Sequence, residues 1–297
     1  MRNGLERIGS TKNKGGNMKA FFHRADLDGH CSGAIIKHKN PYCKMVGVDY
    51  GDILDKESIE KNETVFVVDF CFPLEDMIWL YLNADLIFID HHKTSIDMLG
   101  SIPIAGKREI GKAACELTWE FLYPDVIHPW SVFALGAYDT WRFSSEIATD
   151  QDFMGILPFQ YGMRAQADTG PENLQLWKDV LEHNNKVLDI IKHGRVILDY
   201  EKTQNTKFAA MMAYETTFEG LNIIAMNKPF ANSMVFDSVY DPEKHDAMML
   251  ITAKAPDDYK YSLYSTKPEI DVSEIAKKYG GGGHKGAAGF LSDRRVA

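Results

Sequence analysis

The chain has few cysteines and no long apolar run, and each shortage excludes a class of protein. Its 297 residues include four cysteines, none of them in a CxxC pair, at Cys31, Cys43, Cys71 and Cys115. This pattern excludes a secreted fold held by disulfides and favours the reducing cytoplasm. No stretch approaches the roughly 18 to 20 apolar residues of a membrane span, and the N-terminus lacks the apolar core of a signal peptide. We therefore expect no membrane partner.

Positive charge is also scarce. The chain has 33 Lys and Arg against 42 Asp and Glu, for a formal net charge of −9. Binding to long duplex nucleic acid normally needs clustered Lys and Arg, so a long duplex is excluded as a partner. A short or small anionic substrate stays open, because bound divalent cations would reverse the local field. The length and the 45% hydrophobic content predict two globular domains.

Acidic residues and histidines stand at the ends of apolar runs in the first half of the chain. The runs 18–22, 65–68 and 86–89 are typical of buried strands. The residues that follow them are His23, Asp26 and Asp28, then Asp69, then Asp90, His91 and His92. In an open parallel sheet, groups at the carboxyl ends of the strands share one crevice. Convergent carboxylates repel each other unless cations lie between them, so the pattern, with Asp139 further on, predicts a centre for two metal ions.

Each cluster has a plainer explanation when it is taken alone. The segment 26–29 is typical of a turn or a helix start, and aspartate often ends a strand, as at Asp69. The succession 90–92 is more specific, since carboxylate and imidazole together suit Mn, Zn, Fe or Co. Asp139 would close a predicted helix, where the helix dipole disfavours an acid.

The order of predicted elements indicates an α/β fold. Strands and helices alternate from Met18 to about Phe143, which predicts a parallel sheet covered by helices. A long helix, 171 to about 201, would lead to a smaller mixed α/β domain with strands at 208–212, 221–226, 247–252 and 261–265 and a helix at 272–279. The predicted division is a disordered leader at 1–17, a metal-binding domain at 18–168, a linker helix at 169–204 and a second domain at 205–297.

A run of glycines follows the last predicted helix. Gly280 to Gly283 precede His284, and a turn of small residues, 286–289, leads into a strand at Phe290. Backbone N–H groups of such a run can close around an anion, since no Cβ blocks a phosphate. A flexible linker is the alternative, although such linkers rarely lead straight into His284-Lys285.

Taken together, these motifs resemble the DHH superfamily of phosphoesterases with its DHH-associated C-terminal domain. The matching positions, in the family's order, are His23-x-x-Asp26-x-Asp28-Gly29, Asp69, Asp90-His91-His92, Asp139-Thr140 and Gly281-Gly282-Gly283-His284-x-x-Ala287-Ala288-Gly289. The superfamily includes RecJ exonucleases, nano-RNases, phosphatases of 3′-phosphoadenosine 5′-phosphate, cyclic-dinucleotide phosphodiesterases and family II pyrophosphatases. The nano-RNase branch is similar in size and layout.

The resemblance implies a role for each matching residue. Asp69 would bridge two divalent ions, Mn²⁺ with Mg²⁺ or Co²⁺ as alternatives. One ion would be held by His23 and Asp26, and the other by Asp28, His91 and Asp139. The catalytic residues would be His92 and Asp90. His92 would lie over the substrate phosphate, and Asp90 would orient the histidines. Substrate contacts would come from Gly281, Gly282, Gly283, His284 and Tyr264.

This sequence departs from the family pattern at two places. Many relatives have one more residue between the first His and the first Asp, which leaves open whether His23 is a ligand. Many also carry Arg where this chain has Tyr264, and tyrosine cannot make the bidentate charged contact with phosphate.

The expected activity is two-metal hydrolysis of short single-stranded oligonucleotides. A phosphatase or phosphodiesterase of small nucleotides is the alternative, and a non-catalytic nucleotide sensor is a second one. A homodimer is compatible with the sequence.

Overall fold

The computed structural model describes residues 17–144 and 150–296. Most of the predicted leader, residues 1–16, lies outside the described residues. The first half contains strands and helices in the order β1 (Met18–His23), α1 (Leu27–Lys39), β2 (Lys44–Val48), β3 (Thr64–Val68), α2 (Leu74–Asn83), β4 (Asp85–Ile89), α3 (Lys93–Leu99), α4 (Ala114–Leu122) and α5 (Trp130–Asp139). The rest contains α6 (Asp150–Arg164), α7 (Leu174–Glu182), α8 (Asn184–Met212), β5 (Tyr214–Phe218), β6 (Leu221–Asn227), β7 (Ala247–Ala255), β8 (Asp258–Tyr264), α9 (Val272–Lys278), β9 (Gly282–His284) and β10 (Ala287–Ser292).

The first sheet is parallel and has four strands in the order β2-β1-β3-β4. The chain moves outward from β1 to β2 and then returns to the other side of β1 to form β3. Ligands of open α/β sheets bind at such a reversal, beyond the carboxyl ends of the strands. His23 ends β1, Asp69 follows β3 and Asp90 follows β4 at this edge.

Alternate side chains of these strands fill cores on the two faces of the sheet. Phe22 and Val68 pack with Ile36 of α1 on one face. Phe21 and Val67 pack on the other, among residues that include those of α2. Burial on both faces explains why the strands are continuous apolar runs.

A glycine brings α1 against the end of β1. The N-cap of α1 is Asp26, whose Oδ1 accepts a hydrogen bond from the Gly29 amide at 3.0 Å. A Cβ on Gly29 would lie 2.1 Å from the His23 carbonyl oxygen, so only glycine permits this approach. The helix therefore starts directly beside the residue that ends the strand.

The second sheet is mixed and has six strands in the order β5-β6-β7-β8-β10-β9. Only β6 and β7 are parallel; the other neighbours are antiparallel. One face packs on α9 through Val272 and Ala276, and the other on the last turns of α8 through Ala209. Earlier in α8, Val187 and Ile190 belong to a core shared with α5 and α6. The α/β class predicted from the sequence is confirmed.

Two element predictions are wrong. The segment predicted as one helix from Pro171 to about Glu201 contains two helices, α7 and α8, which meet at His183. The strand predicted at 208–212 is the end of α8. A run of Phe, Ala and Met has no period that separates helix from strand, and Ala and Met favour helices. The predicted domain boundaries, after residues 168 and 204, stay predictions. Along the chain, the first sheet precedes both boundaries and the second sheet follows them.

No helix among the described residues is both long and apolar enough to span a membrane.

Candidate metal centre

Asp69 lies at the centre of the acidic cluster. It follows β3 with φ = +55°, a left-handed conformation that is uncommon for a residue with a side chain and is often found at functional sites. Its side chain is 2% exposed. Asp69 Oδ1 lies 3.3 Å from His91 Nε2, and Oδ2 lies 3.7 Å from His23 Nδ1. The two oxygens of one carboxylate thus face two different groups of side chains.

The first group contains His23 and Asp26. His23 Nδ1 lies 2.8 Å from Asp26 Oδ2 but is not aligned with it for a hydrogen bond. One atom each of His23, Asp26 and Asp69 lie within 4.8 Å of one another, as the ligands of one ion would. Despite the shorter spacing in the sequence, His23 therefore reaches this group.

The second group contains Asp28, His91 and Asp139. His91 Nε2 lies 3.5 Å from Asp28 Oδ2 and 3.3 Å from Asp139 Oδ2. Asp28 differs from the others because its two oxygens also accept hydrogen bonds from the amides of Ala114 and Cys115, at the start of α4. These bonds place the Asp28 carboxylate while leaving it in contact with the group.

The donor atoms of this cluster fit divalent cations. Both oxygens of Asp69 and both ring nitrogens of His91 are buried without a hydrogen-bond partner, which is costly unless another group binds them. Burial raises the pKa of Asp69 well above its usual value, and the charges of Asp28 and Asp26 raise it further. A cation in each group would bind the Asp69 oxygens and Nε2 of His91, and its charge would offset the repulsion among the carboxylates. Carboxylate and imidazole donors are those preferred by Mn, Zn, Fe and Co.

Asp90 holds the histidine beside the cluster. Its side chain is fully buried, and Oδ1 accepts hydrogen bonds from the amides of His91 and His92, at 2.8 and 3.2 Å. His92 Nδ1 lies 2.8 Å from the same oxygen, so it carries the proton and donates it. The ring is thereby fixed, and Nε2 of His92 is directed away from Asp90.

His284 reaches the cluster from the second sheet. Its ring centroid lies 4.8 Å from that of His92, in a stacked arrangement, and 4.9 Å from that of His91. Burial lowers the pKa of His284 to about 3, and the neighbouring His92 and His91 contribute to this shift. His284 is therefore a neutral imidazole near pH 7.

The three glycines that the sequence predicts as substrate contacts have different surroundings. Gly282 and Gly283 form β9 with His284, and a Cβ on Gly283, where φ is +138°, would lie 2.6 Å from the Ala287 carbonyl oxygen. The amide of Gly281 donates to Ala276 and helps to end α9. The Gly281 amide is thus already hydrogen-bonded to the end of α9. Gly282 and Gly283 instead belong to the strand that brings His284 against the first domain.

Tyr264 lies at the end of β8, away from the histidines. It pairs with Ala287, which pairs in turn with His284. Paired residues of neighbouring strands share one face of a sheet, so Tyr264 and His284 face the same way, separated by about 9.5 Å.

Sequence reasoning missed Asp49. It follows β2 at the same edge of the sheet, and its Oδ1 lies 3.6 Å from His23 Nε2. A carboxylate on the far nitrogen of a metal-binding histidine typically fixes the orientation of the ring. The rule that selected Asp69 and Asp90, an acid directly after a strand, applies equally to Asp49.

Comparisons with solved structures identify the fold. A DHH domain from a member of the s1p family of ribosomal proteins matches 94% of this chain and 83% of its own, with a TM-score of 0.59 and 13% identity. A pGpG-specific phosphodiesterase of Vibrio cholerae matches 93% of this chain and 94% of its own, with a TM-score of 0.52 and 13% identity. The chain has the fold of DHH-domain proteins, which confirms the resemblance at the level of the fold.

Sequence comparisons add little to this assignment. No family model matches the chain. An uncharacterized protein of Acanthamoeba polyphaga mimivirus is 26% identical over 243 residues, which cover 77% of this chain. The match covers 53% of the viral protein, so the chain spans about half the length of that relative.

Proposed function

We propose that this chain, with its DHH-domain fold, is a divalent-metal-dependent phosphoesterase that hydrolyses short oligonucleotides. The observation that carries the proposal is the position of Asp69, whose two oxygens face two separate groups of metal-type ligands. A carboxylate shared in this way is the arrangement of two-metal phosphoesterase centres.

The residues of the chain have separate tasks in this reaction. His23, Asp26 and Asp69 would hold one cation, and Asp28, His91, Asp139 and Asp69 the other. Two cations bound there would activate water for attack on phosphorus and stabilise the negative charge of the phosphoryl group.

Two histidines would contact the substrate phosphate. Asp90 fixes His92 in one orientation, so its free Nε2 can interact with a phosphoryl or leaving oxygen. His284 faces the same point from the second sheet and, as a neutral imidazole, can donate one N–H to the phosphate. The substrate would therefore lie between the two sheets.

A short substrate suits this position. A site bounded by both sheets can enclose both ends of a dinucleotide or a slightly longer strand, but not a long duplex. The similarity to a pGpG-specific phosphodiesterase supports a dinucleotide within this class. We further propose Mn²⁺ as the metal and the cytoplasm as the location, the latter because the four cysteines are free.

We expect Mn²⁺-dependent hydrolysis to be fastest on the shortest members of an RNA series from two to about twenty-four nucleotides. Chelation should abolish it, and Asp139→Asn should lower the rate by about 10²-fold or more, since it removes a charged ligand from the second group. Asp125→Asn, at an exposed position, is the matched control and should retain the wild-type rate.

Parallel assays would test the alternatives. Cleavage of 3′-phosphoadenosine 5′-phosphate or a cyclic dinucleotide, with no cleavage of linear RNA, would overturn the substrate class but not the metal centre. Nucleotide binding without any turnover would support the sensor and contradict the proposal.

A further inference from the structure

A buried glutamate outside both ligand groups joins the start of α4 to the end of α5. The side chain of Glu116 is 3% exposed. Its Oε2 accepts one hydrogen bond from the amide of Ala113, at 3.0 Å, and another from Nη2 of Arg142. A carboxylate buried to this extent is costly unless it is paired and hydrogen-bonded, and these two contacts meet that need.

The bond to Ala113 links Glu116 to the ligand Asp28. Ala114 and Cys115, the next two residues of the chain, donate their amides to the Asp28 carboxylate at 2.8 and 2.7 Å. Amides in the first turn of a helix have no partner within the helix, so their direction depends on how that turn is held. Glu116 therefore acts on Asp28 through the backbone at the start of α4.

Arg142 links Glu116 to the ligand Asp139. Its Nε donates to Thr140 Oγ1 at 2.7 Å, and that hydroxyl donates to the Gly136 carbonyl oxygen at 2.8 Å. Among the residues that the structure describes, none donates a hydrogen bond to the Asp139 carboxylate, which lies against the His91 ring. The position of this carboxylate therefore depends on the turn that Arg142 holds.

This turn needs support because its backbone is strained. Trp141 has φ = +59°, a conformation for which glycine is usual at the end of a helix. In a bulky residue it persists only where surrounding contacts hold it, and the bond between Arg142 and Thr140 spans this position. Glycine is found instead at Gly136, where a Cβ would lie 2.6 Å from Glu116 Oε2, so α5 approaches the carboxylate closely.

We infer that Glu116 and Arg142 are positioning residues for the second ion, and that they set the positions of Asp28 and Asp139 relative to each other. Neither residue belongs to the ligand group itself, and each acts through groups that hold a ligand. The inference rests on the proposed function and extends its second ion site. It differs in sign from a simple effect of charge, because loss of the positive charge of Arg142 would by itself strengthen cation binding.

The test is the affinity of each Mn²⁺ ion, measured by calorimetric titration of the metal-free protein. Arg142→Gln and Glu116→Gln should each weaken one ion by about 10- to 100-fold and leave the other unchanged. Asp139→Asn should weaken the same ion, so adding Arg142→Gln to it should have little further effect. Glu120→Gln is the matched control: it lies on the same helix, is ion-paired with Lys112 at 3.0 Å, and should bind both ions as the wild type does.

A second variant covers the risk that Arg142→Gln does not fold, since it leaves Glu116 buried without its charged partner. Thr140→Val keeps that ion pair and removes only the hydroxyl that Arg142 contacts. It should weaken the same ion by a smaller factor. Unchanged or tighter binding of both ions by a folded Arg142→Gln chain overturns the inference; if that chain does not fold, unchanged binding by Thr140→Val overturns it.

NMR signals of the His91 ring in the metal-free protein separate this failure from that of the proposed function. Nε2 of His91 lies 3.5 Å from Asp28 and 3.3 Å from Asp139, so the signals report on both carboxylates. If the wild-type chain binds no Mn²⁺, the two-ion centre is wrong. A shift of the His91 signals in Thr140→Val, with those of His23 unchanged, then still supports the positioning role, and unchanged His91 signals overturn it.

Discussion

Asp69→Asn should lower the rate of oligonucleotide hydrolysis by about 10³-fold or more, because it removes a carboxylate that faces both ligand groups. Asparagine has nearly the same shape and tolerates the left-handed backbone found at position 69, so the variant should fold. The measurement is kcat/KM on a dinucleotide at saturating Mn²⁺. Asp257→Asn, at an exposed position, is the control and should retain the wild-type value.

The same variant should be more stable than the wild-type chain when both are free of metal. The Asp69 carboxylate is buried near Asp26 and Asp28 without a hydrogen-bond partner, and a neutral amide removes that repulsion. We expect a gain of about 1–3 kcal/mol in the free energy of unfolding, measured with urea in the presence of chelator. Lower stability together with lower activity would instead indicate that Asp69 is a structural residue.

The second large effect is stabilisation by metal. A ligand that binds only the folded state stabilises it by about 2.7 kcal/mol when its concentration is 100 times Kd, so two ions would contribute roughly 5 kcal/mol. We expect Mn²⁺ to raise the free energy of unfolding of the wild-type chain by this amount. Asp139→Asn, which affects one ligand group, should show about half the gain.

Two controls make the metal experiment specific. K⁺ at the same ionic strength should have little effect, because screening of exposed charges does not supply ligands to buried carboxylates. Asp125→Asn should respond as the wild type does. An equal response of Asp139→Asn and the wild type would contradict the assignment of Asp139 to an ion site.

The convergence of the acidic residues could be predicted from the sequence because it depends on local patterns and one topological rule. Apolar runs identify strands, and residues directly after parallel strands meet at one edge. This rule predicts that His23, Asp69 and His91 meet at one edge of the sheet, and the structure brings their ligand-type atoms together there. Their roles as ligands stay predictions, since the structure shows their arrangement and not their chemistry.

The remaining features depend on contacts between distant segments. Asn232 meets Tyr138 only because the second half folds back on the first, and no local spacing indicates this. The end of α8 was predicted as a strand because a five-residue apolar run has no decisive period. Asp49, by contrast, could have been found, since it follows a predicted strand as Asp69 does.

The most direct test of the two-ion centre is the number of Mn²⁺ ions bound per chain, measured by calorimetric titration of the metal-free protein and compared with Asp69→Asn. We expect two ions for the wild-type chain, and fewer tightly bound ions together with loss of hydrolysis for the variant. Two results would contradict it: a wild-type chain that binds no Mn²⁺, or an Asp69→Asn variant that binds two ions with unchanged affinity.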